Sequence, residues 1–115
     1  MEEALPAFEK ASPVFGQGLA WASLNCTYWP VAPTGEPQRI EARGAAPIVV
    51  VGTTRDPATP YPWAVSLSRQ LTSARLLTYV GDGHTAYGRG SACIDSAINA
   101  YLLDGTPPAK GKRCS

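Results

Sequence analysis

The sequence predicts an α/β fold: two parallel strands with flanking helices, preceded by an irregular N-terminal segment. Three observations carry this. Ile48-Val49-Val50-Val51 is a β-branched run without polar alternation, the pattern of a strand covered on both faces. Arg75-Leu76-Leu77-Thr78-Tyr79 is a second short strand. Between them Trp63, Ala64, Leu67 and Leu71 form an apolar stripe at helical spacing. Consecutive parallel strands joined by a helix make a right-handed βαβ unit.

Residues 1–46 read as an irregular segment and linker. Leu5, Phe8 and Phe15 are apolar but interrupted by Pro6 and Pro13. Gly18 to Asn25 suits a short helix, with Leu19, Ala20, Trp21 and Ala22 as formers. Cys26-Thr27-Tyr28-Trp29-Pro30 and a linker with Pro33, Gly35 and Pro37 then lead to Gly44. From residue 47 the chain becomes regular. Gly52 to Pro60 reads as a loop, with Thr59 capping the next helix and Pro60 at its first position. A Gly-rich loop from Gly81 to Gly90 follows the second strand. The last helix opens at its cap, Ser91, with Ile94, Ile98, Tyr101 and Leu102 on one face. Gly105 suits the left-handed conformation that ends a helix, and Pro107 and Pro108 prevent continuation. Two strands alone make a poor sheet, so the chain is expected to supply one edge of a larger one.

Bulk properties exclude several classes. Formal net charge is +1 and 17% of residues are charged. The longest basic run, Lys110-Gly111-Lys112-Arg113, reads as a solvated tail, so no nucleic-acid footprint is expected. The apolar stretch Ala45 to Val51 falls far below the ~20 residues of a bilayer span, so no membrane partner is expected. The acidic start Met1-Glu2-Glu3-Ala4 does not fit a signal peptide. Cys26, Cys93 and Cys114 are an odd set, so one thiol is free or pairs outside the chain. One histidine and no clustered ligands give no metal site, and no cofactor is implied.

Open α/β sheets keep their functional groups beyond the carboxyl ends of strands. The loop after the first strand carries Asp56; the loop after the second carries His84, the chain's one histidine. Taken singly, an Asp before Pro is often a turn initiator, and a His among glycines an exposed loop residue. Together, beyond neighbouring strands, they lie on one rim of the sheet. A carboxylate bonded to one imidazole nitrogen fixes the tautomer and stabilises the imidazolium formed when the other nitrogen takes a proton. Asp56 and His84 are therefore the candidate catalytic pair. Asp82, two residues from His84 on the same loop, is the rival acid.

The run from Pro47 to Pro60, ending in Gly52-Thr53-Thr54-Arg55-Asp56-Pro57-Ala58-Thr59-Pro60, resembles the acid loop of secreted bacterial tripeptidyl-aminopeptidase-like serine α/β-hydrolases. Gly81-Asp82-Gly83-His84 resembles their histidine loop. Ser91 to Asp95 and Ala100 to Pro108 resemble their last helix and its exit, and Cys114 also matches. The resemblance covers residues 45–115, and Cys26 to Pro30 more loosely. It implies the C-terminal portion of an α/β-hydrolase fold, with residues 1–46 as the end of a cap or lid region. It further implies an exported parent enzyme that hydrolyses peptide bonds near a free N-terminus. In such enzymes the triad follows the chain order nucleophile, acid, histidine. Asp56 precedes His84 by 28 residues (84 − 56), in agreement.

The 115 residues hold no Gly-x-Ser-x-Gly turn for a nucleophile. The nearest imitation, Gly88-Arg89-Gly90-Ser91-Ala92, lacks the trailing glycine and follows the histidine. The nucleophile and the oxyanion-hole loop are expected upstream, so the chain alone is expected to be inactive. The resemblance also implies a Cys93–Cys114 disulfide. A helix of about 15 Å and a tail reaching about 30 Å allow it, and three reduced thiols are the alternative. Cys26 is then expected to pair in the upstream part.

Two readings from other classes stand beside this one. Gly81-Asp82-Gly83-His84-Thr85-Ala86 nominally matches a dinucleotide-binding pattern, but no helix begins within it. The chain also fits a non-catalytic structural or complementing subunit that pairs, or self-associates, through an exposed sheet edge. Trp21, Trp29 and Trp63 suit such a contact, or ordinary core packing.

Overall fold

The β-branched run at residue 48 opens a strand longer than its apolar part. The structure, a computed structural model, describes residues 2–115 and divides into two units, Met1–Pro37 and Gln38–Ser115. In the second unit β1 spans Ile48–Arg55 and pairs in parallel with β2, Ala74–Asp82. The loop expected from Gly52 therefore begins at Asp56. Thr53 and Thr54 extend the strand because both side chains find partners: the Thr53 hydroxyl donates to the Thr85 carbonyl, and the Thr54 hydroxyl to that of Gly81. Gly52 is required where it stands, since a Cβ there would lie 2.8 Å from the Ala64 Cβ and 2.9 Å from the Tyr61 ring.

A third strand, absent from the sequence reading, completes the sheet. β3, Arg113–Cys114, lies parallel to β2 on its far side, giving the order β1-β2-β3. The end of the basic run, Arg113, thus joins the sheet, while its side chain and that of Lys110 at the run's start stay exposed. The Lys112 carbonyl accepts the Thr78 N–H at 3.0 Å, and Cys114 is buried. A disulfide joins Cys114 to Cys93, with their Cα atoms 5.7 Å apart.

Helices α4 (Tyr61–Gln70) and α5 (Ala92–Asp104) flank the strands. α4 differs from expectation in two ways. Its cap position is Pro60 rather than Thr59, whose hydroxyl is used elsewhere. Its expected apolar stripe packs on the sheet only in part: Trp63 is 64% exposed, Leu67 is exposed, and Leu71 lies past the helix end. Of that stripe Ala64 does meet β1 at Gly52, joined by Tyr61, whose hydroxyl lies 2.8 Å from the Thr78 hydroxyl. α5 buries Ile94, Ala97 and Ile98 in a core with Leu77, Ala86 and Cys114. The expected face included Leu102, which is 66% exposed. Tyr101, also on that expected face, is half-buried, and its hydroxyl donates to the Pro47 carbonyl at 2.7 Å. Ser91 holds the cap position as expected, but its hydroxyl donates to the Ser115 carbonyl rather than capping the helix. Gly105 ends α5 in the left-handed conformation, φ 66°.

Between Glu2 and Thr27 the segment expected to be irregular is mostly short helices. A 3₁₀ turn (Glu2–Ala4) leads into α1 (Leu5–Ala11), α2 (Gly16–Ala22) and α3 (Leu24–Thr27). Pro6 sits in the first turn of α1, where the missing N–H breaks no helical bond. The helix expected over Gly18 to Asn25 is split at Ser23. A Cβ at Gly16 would strike the Phe8 carbonyl, so glycine lets α2 approach α1. Trp21 and Trp29 are exposed, and Cys26 is a free, exposed thiol. Among the described residues no helix is long and apolar enough to cross a membrane.

Candidate active site

A bulge shapes the rim on which Asp56 and His84 meet. Thr53 pairs with Tyr79 and Arg55 with Asp82, so β2 carries one extra residue between these pairs. Such bulges re-aim side chains at strand ends. Thr54 fills this one, its hydroxyl donating to the Gly81 carbonyl and accepting the Gly81 N–H. A Cβ at Gly81 would run into the Tyr79 ring, which explains the glycine. Past the bulge, Gly83 (φ 104°) and Thr85 (φ 69°) are both left-handed and turn His84 back toward β1.

For a β-branched residue this conformation is strained, at roughly 1–3 kcal/mol. Two bonds offset the strain at Thr85. Its N–H donates to Asp56 Oδ2 at 3.2 Å, and its carbonyl accepts the Thr53 hydroxyl at 3.0 Å.

Asp56 begins a tight turn, with its side chain bonded to the backbone two and three residues on. Oδ1 accepts the N–H groups of Ala58 and Thr59, each at 2.9 Å. Oδ2 accepts the Thr59 hydroxyl at 2.9 Å. His84 Nδ1 lies between the two oxygens, 3.0 Å from Oδ1 and 3.1 Å from Oδ2. The carboxylate side chain is only 4% exposed, whereas the imidazole is 50% exposed. The Thr59 N–H, joined by the Ala58 N–H, the Thr59 hydroxyl and His84, holds the Asp56 carboxyl well below the usual carboxylate range, against the opposing effect of burial. Asp56 is therefore anionic across the pH range in which an imidazole exchanges protons.

The rival acid is occupied elsewhere. Asp82 receives Arg55 Nε at 2.5 Å and Nη2 at 2.8 Å, a two-point pair across the strand ends. Arg55 holds the Asp82 carboxyl below its ordinary value. The structure thus brings Asp56, not Asp82, onto His84. Sequence reading missed Thr59 and Thr85 as partners of the carboxylate. For Thr59 the signal was the Asp-x-x-Thr spacing, which suits an aspartate bonding forward to the backbone and to a hydroxyl; Thr85, 29 positions on, left none.

Among the described residues no group of three His, Cys, Asp or Glu side chains is placed to hold a metal ion. The dinucleotide pattern at Gly81 to Ala86 spans the end of β2 and the histidine loop, with α5 starting only at Ala92. That spacing does not place phosphate on a helix N-terminus.

A family model described as TAP-like protein matches residues 12–114. The chain belongs to this α/β-hydrolase family. Its parallel sheet and flanking helices are those of the C-terminal part of that fold. Over 90 residues, 78% of its length, this TAP-like chain is 48% identical to the Mycobacterium tuberculosis (strain ATCC 25618 / H37Rv) protein named serine protease Hip1. It is 49% identical, over the same share, to carboxylesterase B of that strain. Over 97 residues, 84% of the chain, it is 34% identical to the tripeptidyl aminopeptidase of Streptomyces lividans. The chain spans 17% of the length of the two mycobacterial relatives and 18% of the Streptomyces one.

Proposed function

We propose that the chain supplies the acid and the base of a serine hydrolase of the tripeptidyl aminopeptidase type. The observation that carries this is the Nδ1 contact of His84 with both oxygens of Asp56, beyond adjacent parallel strands. In this reading Nδ1–H is held by the carboxylate and Nε2 is the working nitrogen. Nε2 takes the proton of a serine hydroxyl as that oxygen attacks the scissile carbonyl, then returns it to the leaving amine. Asp56 stays ionised and stabilises the intervening imidazolium. The serine and the oxyanion donors come from a segment outside these residues, since no nucleophile turn is present in the sequence.

Peptides as substrates are suggested by the relatives named serine protease and tripeptidyl aminopeptidase. The Cys93–Cys114 disulfide supports an exported parent, because such bonds persist in oxidising compartments. The isolated chain is expected to release no product from aminoacyl or peptidyl chromogenic substrates above buffer. Clear turnover that disappears in His84→Ala would overturn the placement of the nucleophile elsewhere.

One observation favours a second reading, a complementing or self-associating role. β1 pairs with β2 on one edge, and no described strand covers the other. A slot of about 410 Å³ runs beside it, lined by Val50, Val51, Trp63, Leu67 and Tyr87. Exposed strand edges with apolar surroundings invite pairing. Light scattering is expected to find assemblies larger than one chain; a monodisperse monomer would count against this role.

A further inference from the structure

We infer that Thr53 is a positioning residue for His84: its hydroxyl holds the residue after the histidine in the left-handed conformation that sets the ring against Asp56. The inference rests on the acid–base reading above and places part of the control of the base inside β1, ahead of the acid. Alternate residues of a strand share a face. Val49 and Val51 pack on the core formed by Leu77, Ala86 and Ile94, and the alternation puts Thr53 next on that face. Thr53 is 3% exposed. A valine has the same shape and would fill this place with no polar atom to satisfy. The hydroxyl is explained by its partner, the Thr85 carbonyl, to which it donates at 3.0 Å across 32 positions of sequence.

Thr85 is where that bond has leverage. Its φ is 69°, and a β-branched residue relaxes from that region to negative φ when nothing restrains it. Such a change would turn the peptide between His84 and Thr85, whose N–H is given to Asp56 Oδ2 at 3.2 Å. On the far side Ala86 is buried in the core and cannot follow, so the adjustment would fall on His84. The Thr85 side chain offers no comparable restraint. Its hydroxyl oxygen accepts Arg89 Nε at 3.4 Å, longer than an ordinary N–H···O bond. The Thr53 hydroxyl is thus the link that keeps the strained residue, and through it the ring, in place.

The single histidine gives a direct readout. The 115-residue protein, labelled with ¹⁵N in histidine, shows by chemical shift which ring nitrogen carries the proton at a pH where the ring is neutral. A ring held on Asp56 is expected to carry it on Nδ1, and a ring released to solvent shifts toward Nε2–H. Thr53→Val is expected to lower the ratio of Nδ1–H to Nε2–H about fivefold, the worth of one ordinary hydrogen bond. Thr53→Ser keeps the hydroxyl and is expected to keep the ratio. In the Thr85→Gly background the effect of Thr53→Val is expected to shrink below about twofold, because glycine takes a positive φ without strain and has nothing to relax from. A role in packing alone would give the same loss in both backgrounds.

An unchanged ratio in Thr53→Val, alongside a changed one in Asp56→Asn, would overturn the role of Thr53 and leave the Asp56–His84 pair standing. An equal loss with and without Thr85→Gly would do the same. A ring insensitive to Asp56→Asn would instead overturn the pair, and the inference with it. Should Thr53→Val lose the native amide spectrum, Thr53→Ala is compared with Thr53→Ser. Equal ratios in those two proteins would likewise overturn the inference.

Discussion

His84→Ala is expected to lower turnover by about 10⁴ to 10⁶ in a chimera that joins residues 47–115 to the remainder of the mycobacterial serine protease relative. The measurement is kcat on a peptidyl chromogenic substrate, with circular dichroism as the check on folding. The magnitude follows from the base being the group that moves the proton in both halves of the reaction. Asp56→Asn keeps the shape of the side chain but puts an amide where the carboxylate was. It is expected to cost about 10⁴, because an amide no longer enforces Nδ1–H. Asp82→Asn provides the contrast. It disrupts an exposed pair with Arg55, and such pairs carry little energetic weight. Its rate should stay within about fivefold of the parent chimera, the most that the ~1 kcal/mol of an exposed pair allows. If Asp82→Asn proved as damaging as Asp56→Asn, the acid would be wrongly chosen.

Removing the Cys93–Cys114 bond by double substitution to serine is expected to lower stability by about 3 kcal/mol, the chain-entropy value for a loop of this size. The two cysteines are 21 residues apart in sequence. For a domain of this length that loss corresponds to a melting temperature lower by roughly 10–20 °C. Thermal unfolding followed by circular dichroism measures it. The bond does more than shorten the unfolded chain. It ties the first turn of α5 to β3, a two-residue strand whose own pairing with β2 is slight. Equal melting temperatures with and without the bond would mean that β3 holds its place unaided.

What the sequence disclosed follows from how physical signals are written along it. Ile48 to Val51 was legible because burial on both faces leaves no polar residue in the run. Gly105 was legible because few residues other than glycine tolerate φ 66° at a helix end. Asp56 and His84 were legible as a pair because each stands just past a strand. The rest failed for identifiable reasons. The extension of β1 through Thr53 and Thr54 depends on hydroxyls satisfied by residues about 30 positions away. β3 is two residues long, too short to carry any period. The N-terminal helices have seven residues or fewer, below the length at which a stripe is readable. The stripe on α4 was seen, but the sequence could not say which of its residues stay open: Trp63 and Leu67 line the slot beside β1. Asp56 was preferred to Asp82 by its place beyond the neighbouring strand, but the bulge that sets Asp82 opposite Arg55 left no trace in the sequence.

The all-parallel sheet also sets the order in which the chain can assemble. With no hairpin anywhere in it, no pairing is local. Ile48 meets Ala74, 26 residues on (74 − 48), and Thr78 meets Arg113, 35 residues on (113 − 78). Each junction must wait for an intervening helix to be laid down, and non-local closures of this kind are slow. On the ribosome, β1 and β2 can join while α5 is still being made, and the histidine loop can form with them. β3 can dock only after Cys114 itself has left the exit tunnel. The covalent link at Cys114 is therefore a latch that shuts after the rim carrying Asp56 and His84 is already built.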